Sequence, residues 1–412
     1  MIRIDPLAYD DEVLAELDTP SGVMTITRGI GSGLTTDAAG RIWAVGDRGP
    51  NLKVKLAVER YGLAHLAEHA DADGAKVMPR LDLGPALSEL ALEGDRVRLV
   101  RSLPLRGGDG RAISGVPTPG GVNLASEPAL GLDGRALPPD PSGADTEGVA
   151  SLRDGRFWVG DEYGPSLLRV SADGMVEARW VPAGGEAQFA GATHPIEGRL
   201  PALAARRRLN RGFEALATSG DGRWLFLAFQ SPLSHPDDAT HGWTRHVRLW
   251  RLDAETGAVA AQHLYPLDPP ESFARDRAQG AFDREDVKVS ELVWLADDRL
   301  LVLERGSWTT KLYVVAPDRR TALDPAHLDV ATRPTVEELS ADGTFRLPVL
   351  AKRLVLSSDD HPALGADLEG VARIGPDALL IVNDNDFGTE GAATRFWRVT
   401  LPPGWADQPS AG

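Results

Sequence analysis

The chain contains no cysteine. Disulfides, a thiolate nucleophile and cysteine-ligated zinc are therefore excluded. The compartment stays open, because a reducing cytosol and a disulfide-free periplasm both fit. Long apolar runs are missing too. No uncharged stretch of about 18 residues occurs, so no membrane span is expected. The N-terminus, MIRIDPLAYDDEVLAELD, shows no basic segment leading into an apolar one. The expectation is a cytoplasmic protein as the sequence stands, or a periplasmic or secreted one if the true start lies upstream. Positive charge is in deficit, with 44 Lys and Arg against 60 Asp and Glu, a net charge of −16. That disfavours nucleic acid and anionic membranes as partners and favours cations and small molecules. The G-x-S-x-G elbow, H-E-x-x-H and the P-loop are absent as well.

What is present is organised around Asp145 to Pro165, DTEGVASLRDGRFWVGDEYGP. Two short apolar runs flank Asp154-Gly155, a strong hairpin signal. Taken as a two-residue turn, that pair sets Glu147 opposite Glu162. Directly opposed like charges cost stability, which raises the question of a function. The pattern recurs at Gly31–Pro50, Gly212–Pro232, Ser290–Gly306 and Asp367–Gly388. The same arithmetic sets Ser32 against Asp47, Glu214 against Phe229, Glu291 against Glu304, and Glu369 roughly against Asp384.

Outer hairpins follow several copies, around Glu93-Gly94-Asp95, Asp173-Gly174 and Glu255-Thr256-Gly257. Copies two, three and four thus offer four strands each. Four-stranded antiparallel blades repeated radially make an all-β propeller. Five motifs favour five blades, and the wide gap between Ser32 and Glu147 leaves room for a sixth. The whole chain, 1–412, reads as one domain, because a repeat cannot bury its face alone. The N-terminal segment, with Val23–Thr27 its clearest strand, is a candidate to complete the last blade. Residues 52–70 read as a partly helical insertion, 107–143 as a long Gly- and Pro-rich surface loop, and 402–412 as a frayed tail. Arg206 to Arg208 and the His235, His241, His246 stretch read as solvated surface.

In a propeller, the start of each first strand and the end of each second strand lie on one face. That face should gather Asp47, Glu147, Asp161, Glu162, Glu214, Glu291, Glu304, Glu369, Asp384 and Asp386. Crowded carboxylates need protons or a cation. A ring of hard oxygen ligands suits Ca²⁺, with Mg²⁺ or Mn²⁺ less suited. Arg48 and Arg305 stand at strand exits, where Arg makes bidentate contacts with an anion or salt bridges with neighbouring acids.

DTEGVA, DEYGP, NRGFEALA, SELVWL, LERG, LEGVA and NDNDFG occur in this order, after an opening GDRGPN. In ensemble they resemble the phytase-like β-propeller family, described as having esterase-like activity. The resemblance runs from about residue 22 to 400 and implies a propeller and a phosphoester or carboxyester hydrolase. Site residues come from the symmetry argument, with Glu147, Glu214, Arg48 and Arg305 as catalytic candidates. Three readings stay open: a metal-dependent hydrolase of a small anionic or ester substrate, a non-catalytic Ca²⁺-binding propeller, and a sugar-lactonase-like propeller. A monomer is expected.

Overall fold

The computed structural model describes residues 1–72, 74–120, 127–341 and 345–407. Five sheets carry the fold. Sheet one is Gly33–Thr36, Ile42–Val45, Ala86–Glu93 and Arg96–Pro104. Sheet two is Thr146–Ser151, Phe157–Asp161, Ser166–Val170, Val176–Pro182 and a fifth strand, Ile196–Leu200, added in parallel. Sheet three is Phe213–Thr218, Trp224–Phe229, His246–Asp253 and Val259–Pro266, and sheet four is Lys288–Ala296, Arg299–Arg305, Thr310–Val315 and Lys352–Ser357. Sheet five is Leu368–Gly375, Ala378–Asn383, Phe396–Thr400 and, from the other end of the chain, Arg3–Leu7.

The first strand of each sheet packs against the first strand of the next, and that of sheet five returns to sheet one. The protein is a β-propeller, as the repeats imply. Arg3–Leu7 joins the two chain ends. The Gly22–Thr27 strand does not; it pairs with Val13–Thr19 as a separate hairpin. The gap between Ser32 and Glu147 holds the outer half of sheet one, a helix (Val54–Tyr61) and a small sheet of Leu52–Lys53, Lys76–Val77 and Ala129–Leu130.

Turn chemistry corrects the expected register. Between the first two strands of sheet two, Leu152 N donates to Arg156 O, and Gly155 takes φ +88°. The loop is therefore three residues long, a turn closed by a left-handed glycine. Val149 now faces Val159, and Thr146 faces Asp161. Glu147 does not face Glu162. Sheet one repeats this with Gly40 (φ +79°), so Gly33 faces Val45 and Ser32 does not face Asp47. In sheet four Asp297-Asp298 is the two-residue turn, both residues at positive φ. Bulges then shift the ladder, so Glu291 faces Leu303 and Glu304 faces Val289. Phe213 takes the place expected for Glu214 opposite Phe229. Leu368 faces Asn383, which removes the Glu369–Asp384 pairing.

Bulges interrupt the first strand of four sheets, between Thr146 and Val149, Phe213 and Ala215, Val289 and Glu291, and Leu368 and Gly370. A bulge carries an unpaired residue and re-aims its side chain. Glu147, Glu214 and Glu369 occupy these positions. Small residues let the strands converge there. A Cβ on Gly148 would sit 1.9 Å from Glu214 O, and one on Gly31 would sit 2.2 Å from Asn383 O.

The core lies between sheets. Trp43 of sheet one meets Phe157 of sheet two at 4.9 Å between ring centroids, and one cluster unites sheets two, three and four around Trp158, Phe213 and Trp250. Stretches expected at the surface are partly drawn in. Ile113, Val116 and Glu127 of the 107–143 segment are buried, while 121–126 lie outside the described residues. Arg207 is buried and donates to Tyr163 O at 2.9 Å. His235, His241 and His246 are buried, and burial holds each down to about 4. Trp405 packs into the core, so 402–407 are not frayed; 408–412 lie outside the described residues.

Candidate functional site

One end of the ring opens into a funnel of about 150 Å³ in which every lining residue is polar. Seven are carboxylic acids: Asp47, Glu147, Glu162, Glu214, Glu369, Asp384 and Asp386. Five are cations: Arg48, Lys76, Arg211, Lys288 and Arg305. The strand starts and exits thus converge for most of the expected acids. Two of the six non-glycine residues at positive φ among the described residues also line this mouth: Asn210 and Asp386. Left-handed backbone in bulky residues costs energy and concentrates at functional sites.

On the side of sheets five, one and two, carboxylates predominate. Oxygens of Asp47, Asp145 and Glu147 lie within 4.8 Å of one another. Asn51 donates to Asp47 at 2.9 Å. Arg48 is buried behind them, in contact with Asp47, Asp145 and Glu127, while Asn210 accepts from it at 2.9 Å. Its guanidinium also lies over the Tyr163 ring. Fully engaged in this way, Arg48 orders the acids rather than facing the funnel as a free cation.

The electrostatics follow from burial. Burial, then Asp145, Asp47, Glu162 and Glu214, push Glu147 well above the usual carboxylate range. Asp145 is raised by burial and by Asp47 despite Arg48, whereas Asp47 is lowered because Asp145 and Arg48 outweigh its burial. Burial and then Glu214 push Glu162 up to about 8, and its Oε1 has no hydrogen-bond partner. Asp384 is raised by burial, Asp386 and Asp47, and Asp386 goes up to about 6 through burial and Asp47.

The side of sheets three and four carries the cations. Arg211 lies two residues before sheet three, Lys288 opens sheet four, and Arg305 ends its second strand. Ser290, on the bulge, donates to Glu214 at 2.8 Å and accepts from Arg305 at 2.9 Å. Arg305 also contacts Glu369.

Three of the expected acids are not at the funnel. Asp161 accepts from Arg179 and Ser166, both at 2.7 Å, and from Asp145 N at 2.8 Å. Glu304 pairs with Lys352 at 2.7 Å, and Tyr265 and Asp268 N donate to it. Both tie outer strands together. Glu291 lies deeper in the ring, where its Oε2 accepts from Leu34 N of sheet one at 2.9 Å and its Oε1 from Leu292 N. It cross-links inner strands. The pattern missed Asp145, Glu127 and Lys288. Asp145 opens DTEGVA and Lys288 opens KVSEL, so the recurrence of the copies pointed at both. Glu127 lies in a stretch with no repeat signal.

Comparison with known proteins bears on this arrangement. The sequence is similar to an uncharacterised secreted protein of Arthroderma benhamiae, 27% identical over 298 residues, which are 65% of this chain and 55% of that protein. The chain therefore spans about half the length of that relative. Among solved structures, the PQQ-bound aldose sugar dehydrogenase of Streptomyces coelicolor is 14% identical, with 97% of this chain and 100% of that one covered and a TM-score of 0.36. A calcium-binding regucalcin of Agrobacterium tumefaciens is 15% identical over 97% of both chains, with a TM-score of 0.34. Such distant likeness carries no argument about ion or substrate. No helix among the described residues is long and apolar enough to cross a membrane. The model of one family, described as esterase-like activity of phytase, matches residues 26–387, and the chain belongs to this phytase-like family.

Proposed function

We propose that the funnel is the active site of a metal-dependent hydrolase of small anionic esters. The observation that carries this reading is the Asp47–Asp145–Glu147 cluster, buried, all-oxygen and opening onto a wholly polar funnel. Its donor set fits a hard divalent cation, Ca²⁺ foremost. The acids there exceed the cations available to them, since Arg48 is already shared among three carboxylates. An ion bound to these three residues would supply positive charge to an anionic ester and acidify water. Of the chain's own groups, Arg305 and Arg211 orient the anionic part of the substrate. Glu214, aligned by Ser290, stands as general base, and Glu162, held up to about 8, retains a proton for the leaving group at neutral pH.

Metal analysis followed by a broad screen of phosphate and carboxylic esters tests the proposal. The expected result is turnover that vanishes with chelator and returns with Ca²⁺. Tightly bound metal with no turnover on any ester would instead support a non-catalytic binding propeller.

A further inference from the structure

The ring has a second mouth, where the first strands of the sheets end. It opens into a well of about 560 Å³, within the range of small-molecule pockets. All five sheets line it, and its character differs from that of the funnel. Leu34, Leu216, Leu292 and Val371, each buried, come from the first strands of sheets one, three, four and five. Glu291 accepts from the backbone N–H groups of Leu34, Leu216 and Leu292 and lines neither mouth. Its carboxylate ties the inner strands together between the two sites.

The polar groups of the well are unequally engaged. Thr218 donates to Ser151 O at 2.7 Å, Ser151 to Thr36 O at 3.1 Å and Thr36 to Arg373 O at 3.0 Å, so these hydroxyls close the seams between neighbouring sheets. Asp37, the one acid among the lining residues, accepts from Ala39 N, Arg41 and Trp43. Two donors stand apart. Arg153 gives Nε and Nη2 to Gly220 O, and its Nη1 has no partner among the described residues. Trp294, whose ring a Cβ on Gly220 would meet at 2.6 Å, has a buried Nε1 without a partner. Arg153 and Trp294 thus flank the same glycine. The arginines of the well, Arg153 and Arg373, form no ion pair among the described residues, in a chain of net charge −16. An apolar well with unbalanced positive charge at its mouth is complementary to an amphipathic anion.

We propose that this well binds a small amphipathic carboxylate, its apolar body among Leu34, Leu216, Leu292 and Val371 and its head group between Arg153 and Trp294. One free guanidinium edge beside an indole N–H suits a singly charged head with two acceptor oxygens. Arg373 is less available, because its three nitrogens donate to Gly375 O, Leu295 O and Pro376 O. The site is independent of the chemistry proposed for the funnel.

Calorimetric titration of the full chain with octanoate, octanol and acetate tests the well. The expected result is saturable octanoate binding. Octanol, which lacks the charge, should bind about fivefold more weakly or worse, and acetate, which lacks the body, about 10²-fold more weakly or worse. Val293→Glu puts a negative charge on the lining and should weaken octanoate about tenfold or more. Arg153→Gln should reduce octanoate affinity to that of octanol while leaving octanol unchanged, and Arg153→Lys should recover part of the loss. A melting transition like that of the parent shows each variant folded; Arg153 is exposed, so its variants carry the test if Val293→Glu does not fold. No saturable octanoate binding up to millimolar concentration overturns the site. Octanol binding as tightly as octanoate overturns the carboxylate assignment, and octanoate affinity indifferent to Arg153→Gln overturns the placement of the head group.

Discussion

Glu147 carries the sharpest prediction at the scale of single residues. Its surroundings oppose its charge, so Glu147→Gln should remove a ligand while nearly preserving shape. Turnover should fall about 10²-fold or more, in the range of general acid–base and ligand contributions. The melting point of the chelated protein should hold or rise. Asp173→Asn, at an exposed outer turn where the carboxylate accepts from Ser171, is the control and should leave turnover unchanged. A second residue-scale prediction concerns Asp268, whose carboxylate meets Lys311 at 2.6 Å and Lys352 at 2.7 Å. Burial alone would raise it, but Lys352, Lys311 and Tyr313 outweigh burial and take it from 3.8 to about 2. The stabilisation is therefore complete above about pH 4 and is lost as pH falls through about 2, amounting to about 2 kcal/mol. Asp268→Asn should lose about that much at pH 7 and flatten the acid limb between pH 4 and 2, read by urea unfolding across pH.

At the scale of elements, the bulges do the positioning. Glu147, Glu214 and Glu369 reach the funnel because each sits where its strand gains an unpaired residue. Convergence of the inner strands requires Gly148, whose substitution would drive a Cβ into Glu214 O. Gly148→Ala should cost about 1–3 kcal/mol, the range of overpacking, and should weaken Ca²⁺ binding because it displaces the neighbours of both Glu147 and Glu214. Denaturant midpoints and a calcium titration check this. An unchanged midpoint would mean that the strands have slack to part.

At the scale of the molecule, the ring is held by Arg3–Leu7, the strand that the N-terminal end contributes to sheet five. Removing residues 1–8 should leave Phe396–Thr400 as the bare edge of sheet five and expose the apolar surface beneath Leu7. Calorimetry should then show a much lower and less cooperative transition, whereas the full chain should unfold in one. Calcium should raise the melting point of the full chain. Binding to the native state alone is worth about 2.7 kcal/mol at a hundredfold excess over Kd. No shift up to millimolar Ca²⁺, Mg²⁺ and Mn²⁺ would remove the cation site.

The propeller was legible in the sequence because its signals are local and repeated. Apolar runs and turn residues recur five times, with an acid at the first-strand start in four of the copies, and radial repetition carries them to one face without further information. The site was legible only as a neighbourhood. A single added residue reverses which face a side chain takes, and whether a turn holds two residues or three is decided by which backbone groups find partners. The facing pairs were therefore misplaced although the acids at the mouth were found. Tertiary structure alone decided that Asp161, Glu291 and Glu304 serve strands instead of the funnel, since each found donors on neighbouring strands in place of open space. It alone brought Glu127 behind Arg48 and set Lys288 beside Arg211. Those meetings join residues far apart in the chain, and close packing of the inner strands, not local propensity, brings them together.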